Sequence, residues 1–282
     1  MRKSRKSLFV LLLATSFGTL VFPGLSDAVS PMKDGVERFE SLTETVDSVS
    51  IDWTRRALAA SASAQSNAGA LGANRRLVES EARSRLAPLF LEAARDVRFS
   101  SSTSAGDLLA GEDSLARLLD KEVSSWNVVE TRYFSSGKVE IDGELALDRW
   151  LRPALRRLAA APDARKGAAS AATGLVIDAR GLPMRPALAP QVLSPKGEVL
   201  YSIAQLSQRT AADKALVQYV TDPADPRAVA LAGEAPLFFR ADGVRARCDL
   251  VLTQEDADTL RAVEGLASLL ATAPVVIVGD SI

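Results

Sequence analysis

The stretch "WNVVETRYFSSGKVEIDGELAL", residues 126–147, carries the strongest local structural signal in the chain. Two arms rich in β-branched and aromatic residues flank the polar turn 135–137, which is the pattern of a β-hairpin. In the second arm the apolar side chains share one face, and these are Val139, Ile141, Leu145 and Leu147. The charged side chains share the other face, and these are Lys138, Glu140, Asp142 and Glu144. This alternation predicts an antiparallel sheet with one face toward a core and one toward water.

The hairpin belongs to a first block that we place at residues 46–152. Its opening, "SVSIDWT" (48–54), alternates between apolar and polar side chains and predicts a half-buried strand. Apolar residues at three- and four-residue steps predict a long helix over 73–97, with a kink or break at Pro88. A second helix is expected over 105–123. The block should therefore be an α+β domain made of a helix and an antiparallel hairpin sheet.

A second block is expected at residues 173–282, after an alanine- and glycine-rich linker at 153–172. Three apolar runs predict its strands, and these are "GLVID" (174–178), "RARCDLVLT" (245–253) and "VVIV" (275–278). A helix with Thr253 as its N-cap should connect the last two strands. A strand, a helix and a strand of this length predict a parallel crossover, so the second domain should be a mixed sheet that ends in this unit.

The first residues of the chain have the pattern of an export signal. A basic start, a short apolar run and small residues before position 29 predict cleavage after residue 28. A membrane anchor is the alternative, but the apolar run is shorter than the roughly 20 residues needed and is interrupted by Gly18 and Pro23. No cysteine stands at the cut, so we expect no N-terminal lipid. Residues 29–45 are polar and are interpreted as a lead-in.

The charge of the exported chain argues against nucleic acid as a partner. Removing residues 1–28 takes 34 basic residues to 30 and 35 acidic residues to 34, a net charge of −4. Phosphate backbones are bound by clustered basic surfaces, which this balance does not favour. No later apolar run is long enough to span a bilayer. We therefore expect a periplasmic protein, with a possible peripheral position at the outer membrane, whose partners are proteins.

The inventory of side chains excludes several reaction types. The chain contains no histidine, which excludes Ser-His-Asp triads and histidine-based metal sites. Cys248 is the one cysteine, so neither an intrachain disulfide nor a cysteine-rich metal site can form. Its place in an alternating strand predicts a buried, inert thiol. No phosphate-binding loop or dinucleotide fingerprint is present. We predict no catalytic residue, no metal and no cofactor.

Acidic groups are the remaining candidates for catalysis. They are Glu112 with Asp113, the hairpin acids Glu140, Asp142 and Glu144, and the group Glu255, Asp256 and Asp258. Solvation explains the hairpin acids, and the positive end of a helix dipole explains the last group. Calcium binding by these acids stays open, although no twelve-residue ligand loop is present.

A proline-rich stretch at 174–201, "GLVIDARGLPMRPALAPQVLSPKGEVLY", has two interpretations. Asp178, Arg180 and Arg185 could form an active-site cluster beside a glycine turn. Alternatively, Asp178 caps the turn and Arg180 pairs with a carboxylate, while the prolines fix an edge path between strands. We favour the structural interpretation.

Trp53, Trp126 and Trp150 are the three tryptophans, and all lie in or beside strands of the first block. Packing in the core is the interpretation that we favour. Exposed tryptophans would instead mark a possible interaction surface, since aromatic residues are enriched at the centres of interfaces.

The first block resembles a known family. The segments that carry the resemblance are "IDWTRRALAASA" (51–62), "NRRLVESEARSRL" (74–86) and "VVETRYFSSGKVEIDGELAL" (128–147). They are similar to the domain shared by small bacterial outer-membrane lipoproteins of the twenty-kilodalton type and the N-terminal part of flagellar assembly protein T. The second block resembles the extension of longer exported relatives. The resemblance implies a place in the periplasm or at the outer membrane, and for some members a part in rings around the flagellar motor.

Three functions are consistent with these patterns. The first is a non-enzymatic structural or assembly protein of the cell envelope, which includes a place at the flagellar motor. The alternative is a periplasmic binding module that holds a small ligand or envelope polymer in a cleft between the domains. A hydrolase that uses only carboxylates, or a serine and a lysine, is the third and would need two such groups to converge in a pocket.

Overall fold

The computed structural model describes residues 39–66, 75–159, 170–213 and 216–281. The expected export signal, residues 1–28, lies outside these ranges, as do residues 160–169 of the predicted linker. Helices and sheets are both well represented, and the fold class is α+β, as predicted.

The first half of the structure is one antiparallel sheet with helices packed on it. Its described strands are β1 (Thr43–Val46), β2 (Val49–Asp52), β3 (Ala57–Gln65), β4 (Asn127–Tyr133) and β5 (Lys138–Ala146). Its described helices are α1 (Arg75–Asp96), α2 (Ala105–Ala110), α3 (Asp113–Ser124) and α4 (Asp148–Leu158). The strand order is β1-β2-β3-β5-β4, and α1 packs against β3 and β5.

The predicted hairpin is confirmed as β4 and β5. Tyr133 pairs with Val139 beside the turn, and Gly137 in that turn has a φ of +80°, a conformation that favours glycine. The apolar face of β5 is buried, as the alternation predicts. Strand β5 of the hairpin therefore forms part of the sheet face against which α1 packs.

Helix α1 confirms the long helix predicted over 73–97, with a difference at Pro88. The helix runs through Pro88 without a break. Pro88 lies on an exposed face, and so does Ser84, whose carbonyl loses its backbone donor. Because water reaches that carbonyl, the loss of one hydrogen bond does not end the helix. The buried stripe consists of Val78, Ala82, Leu86, Phe90, Ala93 and Ala94.

The single helix predicted over 105–123 is wrong. The structure has two helices, α2 and α3, with Gly111 and Glu112 between them. Ser104 and Asp107 form a reciprocal capping box at the start of α2. Glycine is a poor helix former, so the chain stops at Gly111 and a new helix begins at Asp113.

Two elements of the first half extend beyond residues 46–152. Strand β1 begins at Thr43, inside the stretch interpreted as a lead-in. Helix α4 continues to Leu158, past the predicted end at 152 and into the predicted linker. Both extensions have the same cause, because each segment contributes buried side chains to the core, such as Leu42 and Leu155.

The second half contains two further sheets. Its described strands are β6 (Leu175–Asp178), β7 (Val192–Leu193), β8 (Val199–Tyr201), β9 (Val217–Val220), β10 (Leu237–Arg240), β11 (Gly243–Arg245), β12 (Asp249–Val251) and β13 (Val275–Val278). Its described helices are α5 (Gln208–Asp213), α6 (Pro226–Ala232), α7 (Gln254–Arg261) and α8 (Leu266–Thr272), with a 3₁₀ turn at Ile203–Gln205.

One sheet is parallel throughout, in the order β10-β6-β13-β9. Strand β13, the "VVIV" run, is inside the sheet and all of its residues are buried, as a continuous apolar run predicts. The predicted strand "GLVID" is confirmed as its neighbour β6.

The other sheet, in the order β11-β12-β7-β8, corrects two predictions. The single strand expected over 245–253 is a tight hairpin, because Ala246 and Arg247 adopt positive φ angles of 45° and 75° and reverse the chain. Strand β12 pairs with β7, in a different sheet from β13, so the predicted parallel crossover is wrong. The second half therefore has two sheets instead of one mixed sheet.

The helix predicted between those strands begins as expected and then divides. The Thr253 side chain accepts a hydrogen bond from the Asp256 backbone N–H, which confirms the N-cap. The chain then forms two helices, α7 and α8, separated at Gly265 with a φ of +71°. The left-handed glycine turns the axis so that Leu269 and Leu270 reach the core.

The two halves pack against each other along an interface that we call the seam. The seam includes a network of polar side chains. Arg56 binds both oxygens of Asp148 at 2.8 and 2.9 Å and donates to Gln218 Oε1 at 3.1 Å. Gln218 Nε2 in turn donates to the carbonyl of Thr54 at 2.8 Å. One hydrophobic cluster includes residues from both halves, so they share a core.

Candidate functional site

The three tryptophans are core residues. Trp53 and Trp150 are 1% exposed and Trp126 is 8% exposed. The Trp53 ring meets Tyr219 edge-on at 5.9 Å between centroids, and the Trp126 ring packs on Phe90 at 5.8 Å. Core packing, the favoured interpretation, is confirmed. The possible interaction surface at these tryptophans is wrong, because all three side chains are buried.

The cluster expected at Asp178, Arg180 and Arg185 is divided between two carboxylates. Asp178 accepts from the Arg180 backbone N–H at 3.0 Å and binds its guanidinium at 2.9 and 2.7 Å. The hydrogen bond from Arg180 lowers the pKa of Asp178, so this carboxylate stays ionised. Arg185 lies instead 3.7 Å from Glu44. The structural interpretation of this turn is therefore the one that the geometry supports.

Glu44 is a buried carboxylate that joins three segments of the chain. Its Oε2 accepts from Trp53 Nε1 at 3.2 Å and lies 3.6 Å from Arg98, while Oε1 faces Arg185. Arg98 also donates to the carbonyl of Pro186 at 2.7 Å. Glu44 was not among the predicted residues, because its segment was interpreted as a lead-in. Leu42 and Val46 are apolar residues among polar neighbours, but a glutamate between them gives no sign that it is buried.

The hairpin acids are engaged by basic side chains. Arg132 binds Asp142 at 2.5 Å and Glu140 at 2.6 Å, and Lys138 binds Glu140 at 2.7 Å. The bond from Arg132 lowers the pKa of Asp142, and the bond from Lys138, followed by that from Arg132, lowers the pKa of Glu140. A general acid needs a raised pKa to hold its proton near neutrality, so this pair is not suited to that role.

Cys248 is fully buried, as predicted. Burial, and next the neighbouring Asp249, raise the pKa of its thiol to about 12. We predict that Ellman's reagent, at about pH 8, labels the native chain on the order of a hundredfold more slowly than the chain unfolded in guanidinium. Equal rates in the two states would show that the thiol is accessible and reactive.

The seam between the two halves is closed around Trp53, and a cavity of about 430 Å³ lies elsewhere along it, lined by residues of both halves such as Arg98, Ser104 and Arg247. A cavity lined by Trp53, Asp148, Leu188, Tyr219 and neighbouring side chains has a volume of about 10 Å³. Binding sites for small ligands typically have about 300–1,000 Å³. The seam therefore has no room for a ligand at Trp53, while the cavity at Arg98 and Arg247 is within this range, and the binding module with a cleft between the domains stays a prediction.

The carboxyl ends of the parallel strands, where α/β proteins commonly bind ligands, are crossed by the start of the described chain. The carbonyl of Glu40 accepts from Thr221 Oγ1 at 2.8 Å, and that of Ser41 accepts from Ser281 Oγ at 3.3 Å. A side chain at Gly279 would come within 3.0 Å of Leu42. The segment 40–42 therefore occupies part of this edge.

Strand β4 exposes several apolar side chains. Within the described residues it pairs with β5 on one side, and its other side has no strand. We call Val128, Val129, Tyr133 and Phe134 the β4 edge, and their exposed fractions are 39%, 65%, 45% and 43%. The sequence pattern predicts this strand but not which of its side chains are exposed. The adjacent Val128 and Val129, which break the alternation, were the available signal.

Helix α1 holds one end of the β4 edge in place. Arg75 stacks on the Tyr133 ring at 3.5 Å, and the Tyr133 hydroxyl donates to Glu79 at 3.0 Å. Leu77, which lies between those two helix residues, is 69% exposed. The Tyr133 side chain of the β4 edge is therefore held by two residues of α1.

No described helix is long and apolar enough to cross a membrane. In the same ranges, no group of three or more cysteine or acidic side chains is arranged so that it could hold a metal ion.

Residues 174–281 match the family model of the second domain of Treponema pallidum Tp0624. The match begins at Gly174, just before β6, and contains all the strands of the second half. It does not include the first half, where the β4 edge lies. No curated protein matches the chain.

Proposed function

We propose that this chain is a non-enzymatic protein of the cell envelope that acts in the periplasm by assembling through the β4 edge. The observation that carries the proposal is a seven-residue edge strand with exposed apolar side chains. Unpaired strand edges are templates for pairing with another chain, and exposed apolar patches mark interaction sites. The expected export signal and the family resemblance of the first block support the location.

The occupant that fits this edge is a second copy of the chain. Antiparallel pairing of two β4 strands centred on Thr131 sets Glu130 of each copy opposite Arg132 of the other. Opposite charges directly across a strand pair are favourable. The same register brings Val129 of one copy close to Tyr133 of the other, so that apolar surface exposed in each copy is covered.

Neighbouring registers are disfavoured by charge. Pairing centred on Glu130 would oppose two carboxylates, and pairing centred on Arg132 would oppose two guanidinium groups. Like charges directly opposite each other destabilise a strand pair. The charges of β4 thus favour one register of self-association over its neighbours.

Replacing Val129 with lysine should abolish this association. A lysine on the edge places a charge where apolar contact is required, which is how natural edge strands avoid pairing. We expect sedimentation velocity of the full processed chain to show dimers or larger species for the natural sequence and monomers for Val129→Lys. Val229→Lys is the matched control, because Val229 is 53% exposed on α6, away from the β4 edge. A monomeric natural chain, or equal association of the two variants, would contradict the proposal.

The location and the flagellar role require separate tests in cells. Fractionation of cells that express the tagged chain should place it in the periplasm, and deletion of residues 1–28 should retain it in the cytoplasm. A deletion strain with normal swimming and normal motors would remove the flagellar role and leave assembly at another envelope structure.

The absence of histidine and the single buried thiol support a non-enzymatic role. The carboxylates of the former candidate cluster and of the hairpin are paired with arginines, which suits structural ion pairs. Turnover of any substrate by the purified chain would contradict this part of the proposal.

A further inference from the structure

Helix α4 presents basic side chains opposite its buried face. Its buried residues are Trp150, Leu151, Ala154 and Leu155. Arg149, Arg152 and Arg156 recur at steps of three and four residues, so they lie along one side of the helix, and Arg157 is adjacent. The chain as a whole has a net charge of −1, so this concentration of arginine is local.

These arginines line an open groove of about 510 Å³ together with Pro153 and Gln208, the first residue of α5. We call it the arginine groove. Its volume is within the range of small-ligand sites. The side chains of Arg149, Arg152 and Arg157 are each about half exposed, at 61%, 43% and 55%, so their guanidinium groups are accessible from solvent.

Four arginines line the groove, and three carboxylates lie beside them. Arg149 lies 3.5 Å from Glu122, Arg152 lies 3.5 Å from Asp148, and Arg157 pairs with Glu112. Asp148 is shared, because Arg56 binds both of its oxygens at shorter distances. The arginine of each pair is about half exposed, so contact with water weakens these ion pairs. Arg156 has no carboxylate partner within the described part of the chain.

The helix itself does not explain all of this charge. Arg156 and Arg157 are in the last turn of α4, where a cation complements the helix dipole. Arg149 is the second residue of the helix, at the positive end of that dipole, where a cation is unfavourable. The neighbouring Glu122 and a ligand with negative charge are both reasons for an arginine at that position.

We propose that the arginine groove binds a phosphate-bearing ligand. Guanidinium groups donate in planar pairs that match the oxygens of phosphate, and several around one groove suit an anion with more than one negative charge. The same chemistry is offered by a soluble phosphate compound and by the headgroup of an anionic phospholipid. The groove is on α4, so this binding is independent of the β4 edge.

The test uses the full processed chain and the double variant Arg149→Gln/Arg156→Gln. Inorganic pyrophosphate, titrated by calorimetry, is the soluble probe, and flotation with phosphatidylglycerol vesicles, against phosphatidylcholine vesicles, is the membrane probe. We expect the natural chain to bind at least one probe. The affinity of the double variant for that probe should be lower by about tenfold or more, because each replacement removes charge-assisted hydrogen bonds to the ligand. Arg95→Gln, an exposed change on α1, is the control for a loss of charge elsewhere and should bind normally.

The outcomes with the three probes either support or overturn the binding of phosphate. Binding of pyrophosphate identifies a soluble ligand, and binding to phosphatidylglycerol vesicles alone identifies a lipid headgroup; both support the proposal if the double variant loses them. Polyglutamate is the third probe, and binding as tight as that of the phosphate probes would overturn the assignment to phosphate and indicate an acidic protein. No binding to either phosphate probe, or binding unchanged in a double variant with a normal melting temperature, would also overturn it.

Discussion

Replacing Trp53 with alanine should lower the free energy of unfolding by about 3–5 kcal/mol, the usual cost of removing a fully buried aromatic side chain. Trp53 lies at the seam, where its ring meets Tyr219 of the second half. The change also removes the hydrogen bond that Trp53 Nε1 donates to the buried Glu44 carboxylate at 3.2 Å. The two arginines near this carboxylate are farther away, with Arg98 at 3.6 Å and Arg185 at 3.7 Å. A buried charge with a lost partner adds to the cost.

Urea unfolding followed by circular dichroism measures this effect without depending on tryptophan fluorescence. The matched control is Phe134→Ala, which removes an exposed aromatic side chain of the β4 edge and should change stability by less than about 1 kcal/mol. Because the halves share a core, we expect the Trp53→Ala variant to unfold in one transition. Two transitions, or equal effects of the two changes, would show that the seam does not couple the halves.

Replacing Gly174 with alanine should destabilise the fold by about 1–3 kcal/mol, through overpacking. A Cβ atom at Gly174 would come within 2.5 Å of the Ala232 carbonyl oxygen and 2.7 Å of its Cα. This backbone is held in place because Thr173 Oγ1 donates to the same carbonyl at 2.7 Å. The end of α6 therefore cannot move away without losing its contact with the start of β6.

Gly243→Ala is the control for that change. A Cβ atom at Gly243 would meet nothing within 4 Å, and its φ is not positive. Removing backbone freedom from the unfolded chain should leave Gly243→Ala neutral or slightly stabilised. Thermal unfolding of both variants makes the comparison, and equal melting temperatures would contradict the close approach at Gly174.

The sequence predicted the elements whose signals are local. The hairpin, the buried run at β13 and the Thr253 cap each depend on residues within a few positions of one another. The sequence did not predict which strands share a sheet. Strands β12 and β13 were expected to pair because they are consecutive with a helix between them, but β12 pairs with β7, which lies almost sixty residues earlier.

Turns without glycine were a second source of error. Ala246 and Arg247 adopt left-handed conformations that these residues rarely favour, so the pattern of apolar residues around them looked like one strand. The tertiary structure imposes that turn, because the carbonyl of Arg247 accepts from the Arg185 backbone N–H at 2.7 Å. No local signal at 246–247 could have revealed it.

The candidate surfaces were only partly accessible from the sequence. The possible interaction surface was placed at Trp53, Trp126 and Trp150, all of which are buried. The type of a residue does not by itself show whether its side chain is exposed. The β4 edge becomes visible only when β3 is seen to pair with β5, which leaves β4 at the end of the sheet. The sequence predicted only a short helical turn at the arginines of α4. Their position along one side of a helix is seen only from the full length of α4.

The most direct test of assembly through the β4 edge is oxidative cross-linking of a Thr131→Cys variant. In an antiparallel pair centred on this residue, the two Cα atoms would be about 4.5–5.5 Å apart, which a disulfide can bridge. Cys248 is buried and should not compete. We predict a covalent dimer from Thr131→Cys and none from Ser114→Cys, an exposed position on α3. No dimer at position 131, or equal dimer at both positions, would contradict the account.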